Sequence, residues 1–186
     1  MTLRKLHRQI APILFLPLMV SALTGIAFRL GRSWFQIPHE VSNTLLVIHQ
    51  GEYLGKPLVP IYVLLVGTGL LGLLTTGITM LIQSQHRSGK PKSGFAGRRI
   101  HRLVAPIICL PLFATAMTGI VYRLGQNWFG LGQPQTSLLL RIHQGAYLGP
   151  ILRHFYVLFL GLGLLVLLAT GINMTGILRK RRSINR

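Results

Sequence analysis

The sequence predicts an all-α membrane protein. Its four transmembrane helices are expected as two parallel tandem hairpin repeats with pseudo-two-fold symmetry, plus short amphipathic helices on the outer face. Three observations predict this: four long apolar stretches, basic residues clustered between them, and an internal duplication. Of the 186 residues, 50% are hydrophobic and only 12% are charged, with a formal net charge of +18. A mean hydropathy of +0.52 is too apolar for an ordinary soluble surface, which excludes a soluble enzyme. So apolar a chain is not a disordered basic tail either. The single cysteine, Cys109, excludes an intramolecular disulfide framework, a cysteine-based zinc site and a self-contained iron–sulfur site.

The chain opens on a basic cluster (Arg4, Lys5, Arg8), followed by an apolar span from about Gln9 to Leu30. About 20 apolar residues suffice to cross the hydrocarbon. Basic residues before an apolar run also open signal peptides. The same segment recurs in mid-chain, so it is read as a retained span. The segment NTLLVIHQGEYLG, from Asn43, has the periodicity of a short amphipathic helix, with glycines that end it and turn the chain. A second span is expected from Leu58 to Ile82. A polar linker rich in Gly, Ser and Lys follows. The third span, Leu103 to Leu124, is followed by TSLLLRIHQGAYLG as a second outer helix, and the fourth span runs from His154 to Leu178. This divides the chain into a first repeat (1–83), a linker (84–97) and a second repeat (98–186).

Fourteen of the 20 Lys and Arg residues lie at the N-terminus, between spans two and three, or in the tail from Arg179 to Arg186. Both acids, Glu40 and Glu52, lie in the other segments. The positive-inside rule therefore places both termini and the central loop in the cytoplasm. The charge then reads as an orientation signal and an attraction to anionic lipid, with no nucleic-acid partner expected.

The duplication is explicit. The 29 residues from His7 match those from His101 with 17 identities, and IHQGEYLG (from Ile48) matches IHQGAYLG (from Ile142) at seven of eight positions. Both matches share an offset of 94, as do Tyr62, Gly67, Gly69, Thr76 and Gly77 with their counterparts. Each copy carries two spans, so both copies insert in the same orientation. An axis along the membrane normal then places every repeated residue at the depth of its twin.

Of the seven histidines, His39, His86 and His154 have no twin and are expected in loops or at interfaces. His7 pairs with His101 towards the cytoplasmic side, and His49 with His143 towards the outer side. Two imidazoles facing one another at one depth form the arrangement that bis-histidine haem ligation requires. Zinc or copper would want further ligands, and the spans offer no carboxylate and one thiol. Two haem b groups are therefore expected, because no CxxCH attachment motif is present.

A stripe on the first span joins His7, Ala11, Leu14, Leu18, Ser21, Gly25 and Arg29. Gly25 lies 18 residues, or five helical turns, beyond His7. The second copy repeats the stripe through Gly119 to Arg123. Gly25 and Gly119 are expected to admit a flat ring near the backbone. Arg29 and Arg123 are placed to meet propionates of the outer haem, and Arg8 and Arg102 those of the inner one. Snorkelling is the alternative role for these arginines, and close helix packing is the alternative for the small residues. Trp34 and Trp128 read as an aromatic belt. Pro12, Pro17, Pro106 and Pro111 are expected to kink their helices.

LRKLHRQIAPILFLPLMVSALTGIAF resembles the opening helix of PepSY-associated transmembrane (PepSY-TM) proteins, with Leu-His-Arg, an apolar span and Thr-Gly. IHQGEYLG followed by YVLLVGTGLLGLLTTGI is similar to their second signature, and both repeats carry the pattern. The resemblance implies a haem-containing protein of the bacterial inner membrane that moves electrons across the bilayer. It implies haem on His7, His101, His49 and His143, and a metal or ferric chelate as acceptor. The outer segments, Gly31 to Pro57 and Gly125 to Arg153, are too short to hold a PepSY domain, which is a departure from the family.

With no nucleotide fingerprint, the expected electron donor is a quinol or a redox protein. Two other readings stand beside this one. One is a cofactor-free structural or assembly subunit of a larger membrane complex, packed through glycine faces at Gly69 and Gly163. The other is a quinone or pigment site between the hairpins.

Overall fold

A computed structural model describes residues 2–85 and 96–175. Among them are six α-helices and no strand. The long helices are α1 (Leu3–Ser33), α3 (Val59–Gln85), α4 (Ala96–Trp128) and α6 (Leu152–Thr175). The two short ones are α2 (His39–Gln50) and α5 (Gln133–His143). The four long helices are each long and apolar enough to cross a membrane, and the chain is a multi-pass membrane protein. His86, most of the central basic loop and the basic tail lie outside the described residues.

The spans expected from Gln9 and Leu103 begin earlier as helices, at Leu3 and Ala96. Hydrophobicity marks only the part of a helix that sits in hydrocarbon. Backbone hydrogen bonding continues into the flanking Arg and Lys residues, whose long side chains reach polar surroundings. Both α1 and α4 run on as single helical elements through their internal prolines.

Each long helix packs against two others, so that α1, α3, α4 and α6 follow one another around a ring. Leu14, Leu18, Leu73, Ile108, Leu112 and Leu164 are buried in the shared core. Glycines set the close approaches. A side chain at Gly67 would strike Ile120, one at Gly69 would strike Leu14, and one at Gly163 would strike Ile108. These faces, expected above to hold a partner, are filled from within the chain. Outward positions are apolar too: the twins Leu16 and Leu110 are 61% and 77% exposed, as a lipid-facing surface requires.

The short helices form where the amphipathic pattern placed them, α2 packing against α1 and α5 against α4. Gly51 ends α2 at φ +73°, and Gly145 follows α5 at φ +66°. Both lie in the left-handed region that glycine enters without penalty. Each also lies flat against a tyrosine ring, Tyr62 or Tyr156, where a Cβ would collide. These turns bring His49 and His143, at the ends of α2 and α5, back over the long helices.

Candidate functional site

The stripe along α1 faces the interior: Leu14, Leu18 and Arg29 are buried, while Ser21 and Gly25 are half-buried. On α4 the equivalent positions Ala105, Ile108 and Leu112 are buried. His7 and His101 project from these two helices, while His49 and His143 are laid against them from α2 and α5.

His7 and His101 line one cavity of about 70 Å³ together with Ala11, Ala105, Gly77 and Gly171. Its remaining walls are almost wholly apolar, including Phe15 and Cys109 at twin positions. Each ring is anchored by a threonine of the neighbouring helix. His7 Nδ1 lies 2.8 Å from Thr76 Oγ1, and His101 Nδ1 lies 2.8 Å from Thr170 Oγ1. A hydroxyl has one proton to give. Thr76 gives it to the Gly72 carbonyl at 2.7 Å, and Thr170 gives it to the Val166 carbonyl at 2.6 Å. The threonine oxygens must therefore accept, and both neutral imidazoles carry their proton on Nδ1. Gly77 and Gly171 lie beside the two rings, where a Cβ would sit 3.6 Å from Cε1 of His7 or His101.

The second pair is held differently. His49 Nδ1 donates to the Ser21 carbonyl at 2.8 Å, and His143 Nδ1 donates to the Thr115 carbonyl at 2.8 Å. These acceptors lie on α1 and α4. The two rings meet edge to face, with centroids 6.4 Å apart and planes inclined at 60°. Burial lowers the basicity of both rings. His143 is pushed down to about 4, first by burial and then by the charge of His49. Both imidazoles are neutral at pH 7, the form that binds metal.

Gly25 and Gly119 do admit a flat ring close to the backbone, and that ring is histidine. A Cβ at Gly25 would sit 3.0 Å from His49 Cε1, and one at Gly119 would sit 2.9 Å from His143 Cε1. The expected arginines sit at the same end, engaged across the repeats. Arg29 donates to Gln144 Oε1 at 2.6 Å. Arg123 donates to Gln50 Oε1 and lies 3.1 Å from the Glu52 carboxylate. Each arginine thus grips the glutamine that follows the paired histidine of the other repeat. At the opposite end Arg8 donates to the Thr175 carbonyl at 3.3 Å, and Arg102 to Ser84 Oγ at 3.0 Å.

Protein-family models, curated proteins and solved structures gave no match to the chain.

Sequence reasoning named all four histidines and both glycines but missed the residues that orient the rings. Thr76 and Thr170 read as packing residues, although their repetition at the offset of the histidines was the available signal. Gln50 and Gln144 sat unremarked inside the repeated IHQG. No group of three or more His, Cys, Asp or Glu side chains gathers among the described residues. That leaves paired imidazoles as the donor sets, and they fit a group that takes one nitrogen on each of two faces. Two rings sharing one ion through bonds of about 2 Å have centres roughly 6 Å apart, close to the 6.4 Å of the second pair. At about 70 Å³ the first cavity is smaller than the roughly 300 Å³ at which ligand pockets begin. A planar group there needs the surrounding side chains to part.

Proposed function

We propose that the chain is a di-haem, b-type electron-transfer protein of the bacterial inner membrane. In this reading the two hairpins are parallel repeats about an axis normal to the membrane, and both termini are cytoplasmic. The near-identical contacts of twin residues support the repeat symmetry, and the basic clusters support the orientation. His7 and His101 would hold the inner haem, and His49 and His143 the outer one. The resemblance to PepSY-TM proteins points the same way, with a quinol or redox protein as donor and a metal or ferric chelate as acceptor.

One observation carries the reading. Every ring–backbone or ring–hydroxyl hydrogen bond of the four paired histidines uses Nδ1. The Nε2 lone pair is left for a ligand. A histidine that binds a metal typically gives its other ring N–H to a carbonyl or a similar acceptor, which fixes its tautomer and orientation. Four such arrangements in two pairs, one lining a common cavity and the other in ring contact, supply the imidazoles that bis-histidine coordination needs. Bound there, haem supplies one-electron redox chemistry. The chain's own residues do the rest. Thr76, Thr170 and the carbonyls of Ser21 and Thr115 aim the rings, Gly25 and Gly119 make room for them, and apolar walls exclude water. Arg29 and Arg123 place guanidinium groups at the rim of the outer pair, where propionates would lie.

Purified protein should show a b-type absorption spectrum and about two haems per chain by pyridine-haemochrome analysis, as two bis-histidine sites require. A colourless protein from haem-replete cells would overturn the proposal and favour a cofactor-free assembly subunit.

A further inference from the structure

The two repeats part company at the rim of the second histidine pair. Arg123 is neutralised by Glu52. Its twin Arg29 has no such carboxylate, because Ala146 stands at the position equivalent to Glu52. Instead Arg29 is repelled by two further arginines, Arg153 and Arg32. Arg153 stands where the first repeat has the buried Val59, and Arg32 where the second has Gln126.

These residues meet along the seam between the end of α1 and the start of α6. Ser33 Oγ lies 2.6 Å from His154 Nε2, and the Trp34 ring packs on Phe155 with centroids 6.0 Å apart. Arg29 is 8% exposed, and its hydrogen bond goes to the neutral Gln144. Arg153 Nε is fully shielded and has no hydrogen-bond partner among the described residues. The only acidic side chains in the sequence are Glu40 and Glu52, and neither forms an ion pair with these three arginines. Three guanidinium groups thus gather without a counter-charge, and one of them, Arg29, is buried, where an unpaired cation is strongly destabilising. The missing anion must come from outside the chain.

We propose that the α1–α6 seam binds the phosphate of an anionic phospholipid, through Arg29, Arg32 and Arg153. Planar guanidinium donors match phosphate oxygens in pairs. A lipid suits the position better than free phosphate. The seam lies at the ends of two spans, beside the exposed rings of Trp34 and Phe155, where a headgroup and the start of an acyl chain would rest. This proposal shares only Arg29 with the haem reading, where that residue would meet a propionate, and it is tested at Arg32 and Arg153, which the haem reading does not use.

The test is native mass spectrometry of the full chain in detergent, titrated with phosphatidylglycerol and, separately, with phosphatidylcholine. Lipid adducts are counted by mass, apart from any cofactor. One phosphatidylglycerol should bind in preference to phosphatidylcholine. Arg153→Val, the residue of the other repeat, should weaken it about tenfold or more, as loss of a charged hydrogen bond implies. Arg32→Gln, at an exposed position, should weaken it severalfold even if Arg153→Val fails to fold. Arg153→Lys, which keeps the charge but loses the paired donors, should bind more weakly than the unaltered chain and more tightly than Arg153→Val, and Arg141→Gln on α5 should change nothing. Equal binding of the two lipids, or equal losses in Arg141→Gln and Arg32→Gln, would overturn the proposal. Displacement of the lipid by millimolar inorganic phosphate would overturn the lipid assignment in favour of free phosphate.

Discussion

The two histidine pairs reach the same ring chemistry by different supports. His7 and His101 are aimed by threonine hydroxyls on α3 and α6. His49 and His143 are aimed by backbone carbonyls of α1 and α4, with a glycine under each ring. A hydroxyl can be deleted by one substitution, whereas a carbonyl cannot. The first pair is therefore vulnerable at its hydrogen bonds and the second at its packing. The difference follows from origin: the first rings sit on the spans themselves, while the second arrive on short helices and must be seated against a helix surface.

The largest expected effect removes a proposed ligand. His143→Ala should halve the haem content per chain and leave the other site's spectrum intact. A protein that kept both haems would break the pairing of His49 with His143. Gly119→Val comes next, since even a Cβ there would lie 2.9 Å from His143 Cε1. Overpacking of this kind costs about 1–3 kcal/mol. It should empty the second site selectively, read as loss of one haem with a lowered melting temperature.

Thr76→Val should be milder. It keeps His7 but deletes its acceptor, and loss of such a partner weakens metal affinity by about 10–100-fold. Haem titration should detect the change, with Thr76→Ser restoring affinity. A normal affinity in Thr76→Val would mean that packing alone aims His7.

The smallest effect is in pH. Burial, then repulsion from His49, holds His143 down to about 4, from an ordinary 6.5. The unfolded chain therefore takes up this proton first as pH falls. The contribution of His143 to stability is complete above about 6.5 and is lost progressively as pH falls to about 4. Histidine 15N NMR of haem-free protein should find His143 still neutral at pH 6. Protonation near 6.5 would show that the ring is not seated on Thr115.

The legible parts of the site were those written as repetition. His7 with His101, and His49 with His143, declared themselves by a common offset, as did Gly25 with Gly119. Thr76 and Thr170 recur just as strictly, but within a run of glycine and leucine where a threonine also reads as helix packing. Arg29 and Arg123 recur too, yet their partners lie 115 and 73 positions away on the opposite repeat. Nothing local announces a hydrogen bond across that distance.

The sequence alone determined how many helices are long and apolar enough to cross a membrane, and where the chain must turn. Both follow from the cost of placing unpaired backbone and charge in hydrocarbon, which composition reports directly. It also determined which histidines come in pairs. Only the tertiary structure decided which nitrogen each ring presents, and that the ring over Gly25 is His49. It also placed three arginines without a carboxylate on one seam. Tautomer, seating and charge balance depend on contacts between residues far apart in the chain, and those contacts exist only once the helices have packed.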